Sequence, residues 1–175
     1  DEKAVWLTGM PRFDKLYNND RKIVLIMPSW RKGLMSQQWD EGTQSMIWKV
    51  VEDFYDSAYV QRYKSLLHNQ RLIEKCKKTG YQIAFMPHAL MEPYIDNFVD
   101  EDSSCVYWDR TKSYRDAFAE GSILVTDYSS VAFDFAFLEK PIIYYQFDRQ
   151  AFFASHTYTQ GYFDYQRDGL GPVVS

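Results

Sequence analysis

The chain has only two cysteines, Cys76 and Cys105, and they share neither CxxC nor metal-ligand spacing. That excludes a disulfide framework and a thiolate zinc site. Cys76 falls on the apolar stripe of an expected helix and reads as a buried free thiol. No run approaches the roughly 18 apolar residues that a membrane-spanning helix needs, and nothing at the start reads as a signal peptide. Basic charge is scarce too. Twenty Lys and Arg against 24 Asp and Glu leave a net charge of −4, which argues against a nucleic-acid partner. An anionic substrate stays open, because a few local donors can hold a phosphate inside an acidic protein. Neither a GxGxxG nor a Walker sequence occurs, so the familiar dinucleotide and P-loop readings fail. The acidic residues lack EF-hand spacing, and neither a metal nor a cofactor is expected.

Aromatic rings are what the sequence has in quantity: 18% of residues, with fourteen Tyr against five Trp. Rings that carry a hydroxyl suit a cleft or a wet interface. With 46% hydrophobic and 25% charged residues, 175 residues fit one compact domain, 1–175, with a real core. The opening Asp1-Glu2-Lys3 runs straight into a strand-like Val5-Trp6-Leu7, so the chain is expected to be part of something longer.

Strands and helices alternate along the chain. Lys22 to Met27 is a continuous apolar run stopped by Pro28, as in a strand buried on both faces. The polar stretch Ser29 to Ser45 is too long for a simple turn and reads as a functional loop, followed by a short helix over Met46 to Phe54. Tyr59 to Thr79 reads as one amphipathic helix closed by Gly80. Tyr81 to Met86 is a strand, Leu90 to Phe98 a helix, and Ser113 with Asp116 the capping box of a short helix to Ala119. Ile123 to Thr126 is a buried strand that turns through Asp127-Tyr128-Ser129-Ser130 into an apolar helix ending near Leu138. Pro141 to Tyr145 is the next strand. Such alternation implies an α/β fold, a Rossmann-like, mostly parallel sheet with helices on both faces. Ligands bind such sheets beyond the carboxyl ends of the strands. Gly9–Arg12, Pro28–Arg31, Pro87-His88 and Asp127–Ser130 all sit there.

Each cluster offers phosphate chemistry beside a plainer role. At Asp127–Ser130, helix-end amides and two hydroxyls suit a phosphate, or Asp127 or a Ser simply caps the helix. His88 can act as acid or base, or stabilise charge developing on phosphate. Arg31 can clamp phosphate oxygens in bidentate fashion, and Arg12 can do so or pair with Asp14. His68, mid-helix, reads as solvated. The last segment interleaves glycines and acids with rings, and there Gln146, Asp148 and His156 are candidate cleft-lining residues.

Seven motifs in order then resemble one family. They are Thr8–Asp14, Pro28–Arg31, Met86–His88, Thr126–Asp134, Lys140–Ile142, Tyr145–Asp148 and Gly161–Tyr165. Over nearly the whole chain they resemble the CDP-glycerol glycerophosphotransferases, the teichoic-acid primase and polymerase type with capsule relatives. The resemblance implies the C-terminal, donor-holding half of a two-domain GT-B fold. It implies transfer of an alditol phosphate from a CDP-alditol to an acceptor hydroxyl with release of CMP, and a lipid-linked polyol-phosphate or glycan acceptor. It further implies that Asp127, Ser129 and Ser130 bind the donor's phosphates, that His88 is one of two functional histidines, and that Arg31 and Arg12 are donor contacts. The second histidine would lie in an N-terminal domain of the same protein, and the whole protein would work in the cytoplasm, peripheral to the inner membrane face. Two departures are Ala89, where the family commonly has Pro, and an aromatic-rich Met46–Tyr63 closer to capsule-type members. Two rivals stand beside this reading: a GT-B nucleotide-sugar glycosyltransferase, and a non-catalytic nucleotide-binding module.

Overall fold

The structure, a computed structural model, describes residues 6–99, 104–155 and 161–175. Six parallel strands form its sheet: β1 (Ile23–Met27), β4 (Gln82–Phe85), β5 (Cys105–Tyr107), β6 (Gly121–Thr126), β7 (Ile142–Tyr145) and β8 (Val173–Val174). Their spatial order is β5-β4-β1-β6-β7-β8. The chain therefore builds outward from β1 to one edge, returns, and builds to the other. The reversal falls between β1 and β6, the switch point at which open α/β sheets bind ligands.

β1 occupies the centre because every residue in it is apolar. All five side chains are buried, with Val24 and Ile26 on one face and Ile23, Leu25 and Met27 on the other. Each such burial is worth about 1.5–3 kcal/mol relative to exposure. One face packs against α1 (Ala58–Leu67) and α2 (Gln70–Thr79) through Tyr63, Leu67, Ile73 and Cys76. The other packs against α3 (Tyr114–Glu120) and α4 (Val131–Phe137) through Ala117, Phe118, Ala132 and Phe135.

Several expectations are corrected. The single helix over 59–79 is two helices, because the Asn69 side chain accepts the Leu72 amide and starts a new one. His68 is half-buried at that break rather than solvated, with Nδ1 2.7 Å from the Lys64 carbonyl. Gly80, at φ 75°, closes α2 as read. The expected loop and helix between Ser29 and Phe54 are mostly an antiparallel hairpin, β2 (Met35–Asp40) and β3 (Ser45–Val50). Its turn is set by Asp40, whose carboxylate accepts from the Thr43 amide and hydroxyl. The Leu90–Phe98 helix is a 3-10 helix over Ala89–Asn97 with Pro93 inside it. Trp6 and Leu7 are exposed and outside any strand. β5, α5 (Arg149–Ser155) and β8 went unread in the sequence.

The join from α3 into β6 has no intervening loop. It leaves the helix's last carbonyls facing inward, and buried Lys140 donates from Nζ to the carbonyls of Phe118, Ala119 and Gly121 at 2.6–2.7 Å. A Cβ at Gly121 would lie 2.8 Å from the Phe135 ring and 3.0 Å from the Ala117 carbonyl, so only glycine fits there.

Candidate functional site

A pocket of about 220 Å³ opens outside the carboxyl ends of β1, β4 and β6. Met27 and Pro28 reach it from β1, Pro87 and His88 from β4, and Ser129 and Ser130 from β6. Three of the four polar clusters read from the sequence thus meet in one cavity.

His88 is half-buried and opens the 3-10 helix, where its Nδ1 accepts the Leu90 amide at 3.2 Å. An accepting Nδ1 carries no proton, so the neutral ring keeps its hydrogen on Nε2. Burial pushes its pKa below the ordinary value and favours that neutral form. The ring is therefore a ready hydrogen-bond donor through Nε2. Ser130 is exposed and makes no capping bond to α4. Ser129 Oγ lies 3.5 Å from the Val131 amide. Asp127 does not cap the helix either, and both serines line the pocket, Ser129 accepting a long hydrogen bond from the first amide of α4.

Asp127 is fully buried beneath the pocket. Its carboxylate accepts the Ser29 amide at 2.9 and 3.1 Å, the Tyr128 amide at 2.6 Å and the Tyr63 hydroxyl at 3.2 Å. Arg31 lies beside it, 5% exposed. Its Nη2 is 2.8 Å from Asp127 Oδ2 and 3.2 Å from Asp148 Oδ1, its Nε 2.7 Å from Asp148 Oδ2, and its Nη1 3.0 Å from the Ser29 carbonyl and 3.4 Å from that of Trp30. A guanidinium has five N–H donors, and each is engaged. Rings of Phe152, Tyr59 and Tyr128 surround it at 4.8, 5.1 and 5.3 Å. Burial opposes its charge, but Asp127 and Asp148 outweigh that and hold the guanidinium firmly protonated. Burial in the same box raises the pKa values of Tyr59, Tyr63 and Tyr128.

The sequence reading put Arg31 and Asp127 at the donor's phosphates and Asp148 among the cleft-lining candidates. The structure makes them a buried cross-brace under the pocket floor, joining the ends of β1 and β6 to the segment after β7. Gln146 belongs to the same layer, its Nε2 donating to the Asp127 carbonyl at 2.9 Å. Arg12 pairs with Asp134 of α4 rather than with Asp14, Nε to Oδ1 at 3.0 Å, and so ties the opening segment to that helix. His156 lies outside the described residues. Tyr114, at the head of α3, was missed. It lines the pocket and is 45% exposed, and its place follows from the Ser113 capping box, which the sequence did display.

The profile of the CDP-glycerol:poly(glycerophosphate) glycerophosphotransferases matches residues 1–175. The chain belongs to this family. Relatives include the minor teichoic acid biosynthesis protein GgaB of Bacillus subtilis (strain 168), 38% identical over 99% of this chain and 18% of GgaB. Another is the teichoic acid poly(ribitol-phosphate) polymerase of Bacillus spizizenii (strain ATCC 23059 / NRRL B-14472 / W23), 40% identical over 94% of this chain and 26% of that protein. The fold resembles that of the wall teichoic acid polymerase TagF, with a TM-score of 0.53 at 20% identity, over 91% of this chain and 33% of TagF. The Rossmann-like, parallel α/β sheet expected for one half of a GT-B enzyme is thus the fold observed. The chain spans less than half the length of these relatives. No helix among the described residues is long and apolar enough to cross a membrane.

Proposed function

We propose that this chain is the C-terminal, donor-holding half of a transferase that moves glycerol phosphate or ribitol phosphate from a CDP-alditol to an acceptor hydroxyl. The observation that carries the reading is the convergence of His88, Ser129 and Ser130 on one pocket at the sheet's switch point. Membership of a glycerophosphotransferase family and a relative named as a poly(ribitol-phosphate) polymerase supply the chemical class.

In this reading the hydroxyls of Ser129 and Ser130 and the amides at the head of α4 hold the diphosphate. The acceptor oxygen attacks the β-phosphorus, the bond from that phosphorus to the bridging oxygen breaks, and CMP leaves as a phosphodiester forms. The hydroxyl's proton passes to solvent or to a group of the other domain. His88, with its hydrogen on Nε2, donates to the phosphate oxygen on which charge accumulates. Catalysis here rests on positioning and charge stabilisation. Asp127, Arg31, Asp148 and Gln146 support the pocket floor without touching the donor, and Arg12 anchors the opening segment. The acceptor, a lipid-linked polyol phosphate or glycan, would approach from an N-terminal domain at the inner membrane face.

The test is release of CMP by the whole protein from CDP-glycerol and CDP-ribitol. Alanine at His88 should lower turnover by about 10²–10⁴-fold, the usual contribution of a positioned proton donor, with folding intact. Turnover near that of the parent would remove His88 from the mechanism. Release of UDP from a UDP-sugar instead would move the protein to the glycosyltransferases.

A further inference from the structure

A strongly one-sided stretch of charge lies away from the pocket, on α1 and α2. Between Ala58 and Gly80 there are six Lys and Arg against one acid, Glu74, in a chain whose net charge is −4. Arg62, Arg71, Lys75, Lys77 and Lys78 are exposed, and among the described residues none of them forms an ion pair. Arg71, Lys75 and Lys78 follow one i, i+4, i+7 row of α2, and with Asn69, Leu72 and Glu74 they line an open concavity of about 670 Å³. The row sets its charges about 6 and about 4.5 Å apart along the helix axis.

Helix stability does not account for this row. Lys77 and Lys78, in the last turn, suit the negative end of the helix dipole. Arg71 is the second residue of α2, at the positive end, where the first turn holds no acid and an anion would be the stabilising choice. Like charges three and four residues apart also repel along a helix surface. Arg71, Lys75 and Lys78 thus weaken the helix that carries them, and negative charge laid along the row would relieve them together. A small anion meets one or two of the three, whereas a chain with a negative charge every few ångströms meets them all. A lipid surface suits the band less well. No large apolar side chain between Ala58 and Gly80 is exposed, so nothing here inserts between lipids, and the surface is hollow rather than flat. The band also has a direction. Arg62 adjoins Tyr63, whose hydroxyl reaches Asp127 under the pocket, and Lys78 precedes Gly80, which hands the chain to the amino end of β4.

We propose that α1 and α2 carry a docking band for a polyanionic phosphodiester chain, with Arg71, Lys75 and Lys78 set against its successive phosphates. The identity of that chain, the polymer made by the transfer described above, rests on the transfer reading. The band adds a site outside the pocket that holds a long chain to the protein.

Calorimetry on the whole protein with short and long synthetic oligo(glycerol phosphate) tests it. The long chain should bind more tightly than the short one, and the advantage should shrink as salt rises, because the contacts are ionic. The triple variant Arg71→Gln, Lys75→Gln, Lys78→Gln should lose about tenfold in affinity for the long chain, the scale of three exposed ion pairs. Its affinity for the short chain and its release of CMP from CDP-glycerol onto a short acceptor should be unchanged. All three side chains are exposed and Gln is a good helix former, so the fold should survive. Removing three charges at exposed Lys15, Arg110 and Arg115 instead should leave long-chain affinity as it was; an equal loss there reduces the effect to net charge and overturns the band. Unchanged long-chain affinity in the α2 variant, with CMP still released by the parent protein, overturns the band and leaves the transfer reading standing. A parent protein that releases no CMP overturns the transfer reading, and length-dependent binding lost in the α2 variant upholds the band even then. Loss of binding to phosphatidylglycerol vesicles, with oligomer affinity kept, assigns the band to a lipid surface and overturns the proposal.

Discussion

Replacing Arg31 with alanine removes five donors and a positive charge from between two carboxylates. Asp127 is wholly buried and the Asp148 side chain is 15% exposed, so neither can recover its lost partner from bulk water. Breaking a buried ion pair by deleting one member costs about 3–5 kcal/mol, because an uncompensated charge remains. A domain of this kind has about 5–15 kcal/mol in hand. At about 2–4 °C per kcal/mol for chains of 150–250 residues, the melting temperature should fall by roughly 6–20 °C. Lysine keeps the charge, but its three donors cannot serve both carboxylates and the Ser29 carbonyl, so Arg31→Lys should fall between. The sharper check adds Asp127→Asn and Asp148→Asn to Arg31→Met. If stranded charge is the cause, the triple variant should be more stable than Arg31→Met alone, and the non-additivity measures the coupling. Urea titration followed by tryptophan fluorescence reads it, since Trp30 adjoins the brace. A loss below about 1 kcal/mol in Arg31→Ala, or no gain in the triple variant, would refute the brace and free Arg31 for a ligand.

Lys140 gives a second test. Methionine there keeps the stem but strands the carbonyls of Phe118, Ala119 and Gly121, and should cost about 2–4 kcal/mol by thermal unfolding; an unchanged melting temperature would show that water reaches them. His88 gives a third. Burial lowers its folded pKa below the unfolded value, so the unfolded chain takes up the proton first. The stability that neutral His88 contributes is full above the unfolded value, about 6.5, and is lost as pH falls through the folded value. Wild type should therefore lose more stability than His88→Gln between about pH 7.5 and 5. Equal slopes would place His88 in water.

Much of the sheet was legible because its central strands are mostly apolar. Ile23–Met27, Ile123–Thr126 and Ile142–Tyr145 each announce themselves as apolar runs, and the rule about carboxyl ends then gathers His88, Ser129 and Ser130. The hairpin was not legible in the same way. Its strand Met35–Asp40 is polar at Ser36, Gln37 and Gln38 because most of it projects away from the core, although Glu41-Gly42 between two β-prone segments was an available turn signal. β5 is three residues long, below what periodicity can detect, and with it went a second hollow, beyond β4 and β5, that shares Met86, Pro87 and Tyr114 with the pocket beside His88. The roles of Arg31 and Arg12 were hidden for another reason. Their partners Asp148 and Asp134 lie 117 and 122 positions away in the chain, and no local pattern encodes such a meeting.

The two hollows form one trough, whose ends are built by different means. The end lined by His88, Ser129 and Ser130 stands on a cation that binds the loops after β1, β6 and β7 into one unit, so a change there disturbs everything at once. The β4–β5 end carries Glu92 and Arg110 on exposed side chains that support nothing else described. The wall at the β4–β5 end can therefore change through a few surface substitutions while the floor beneath His88, Ser129 and Ser130 stays fixed.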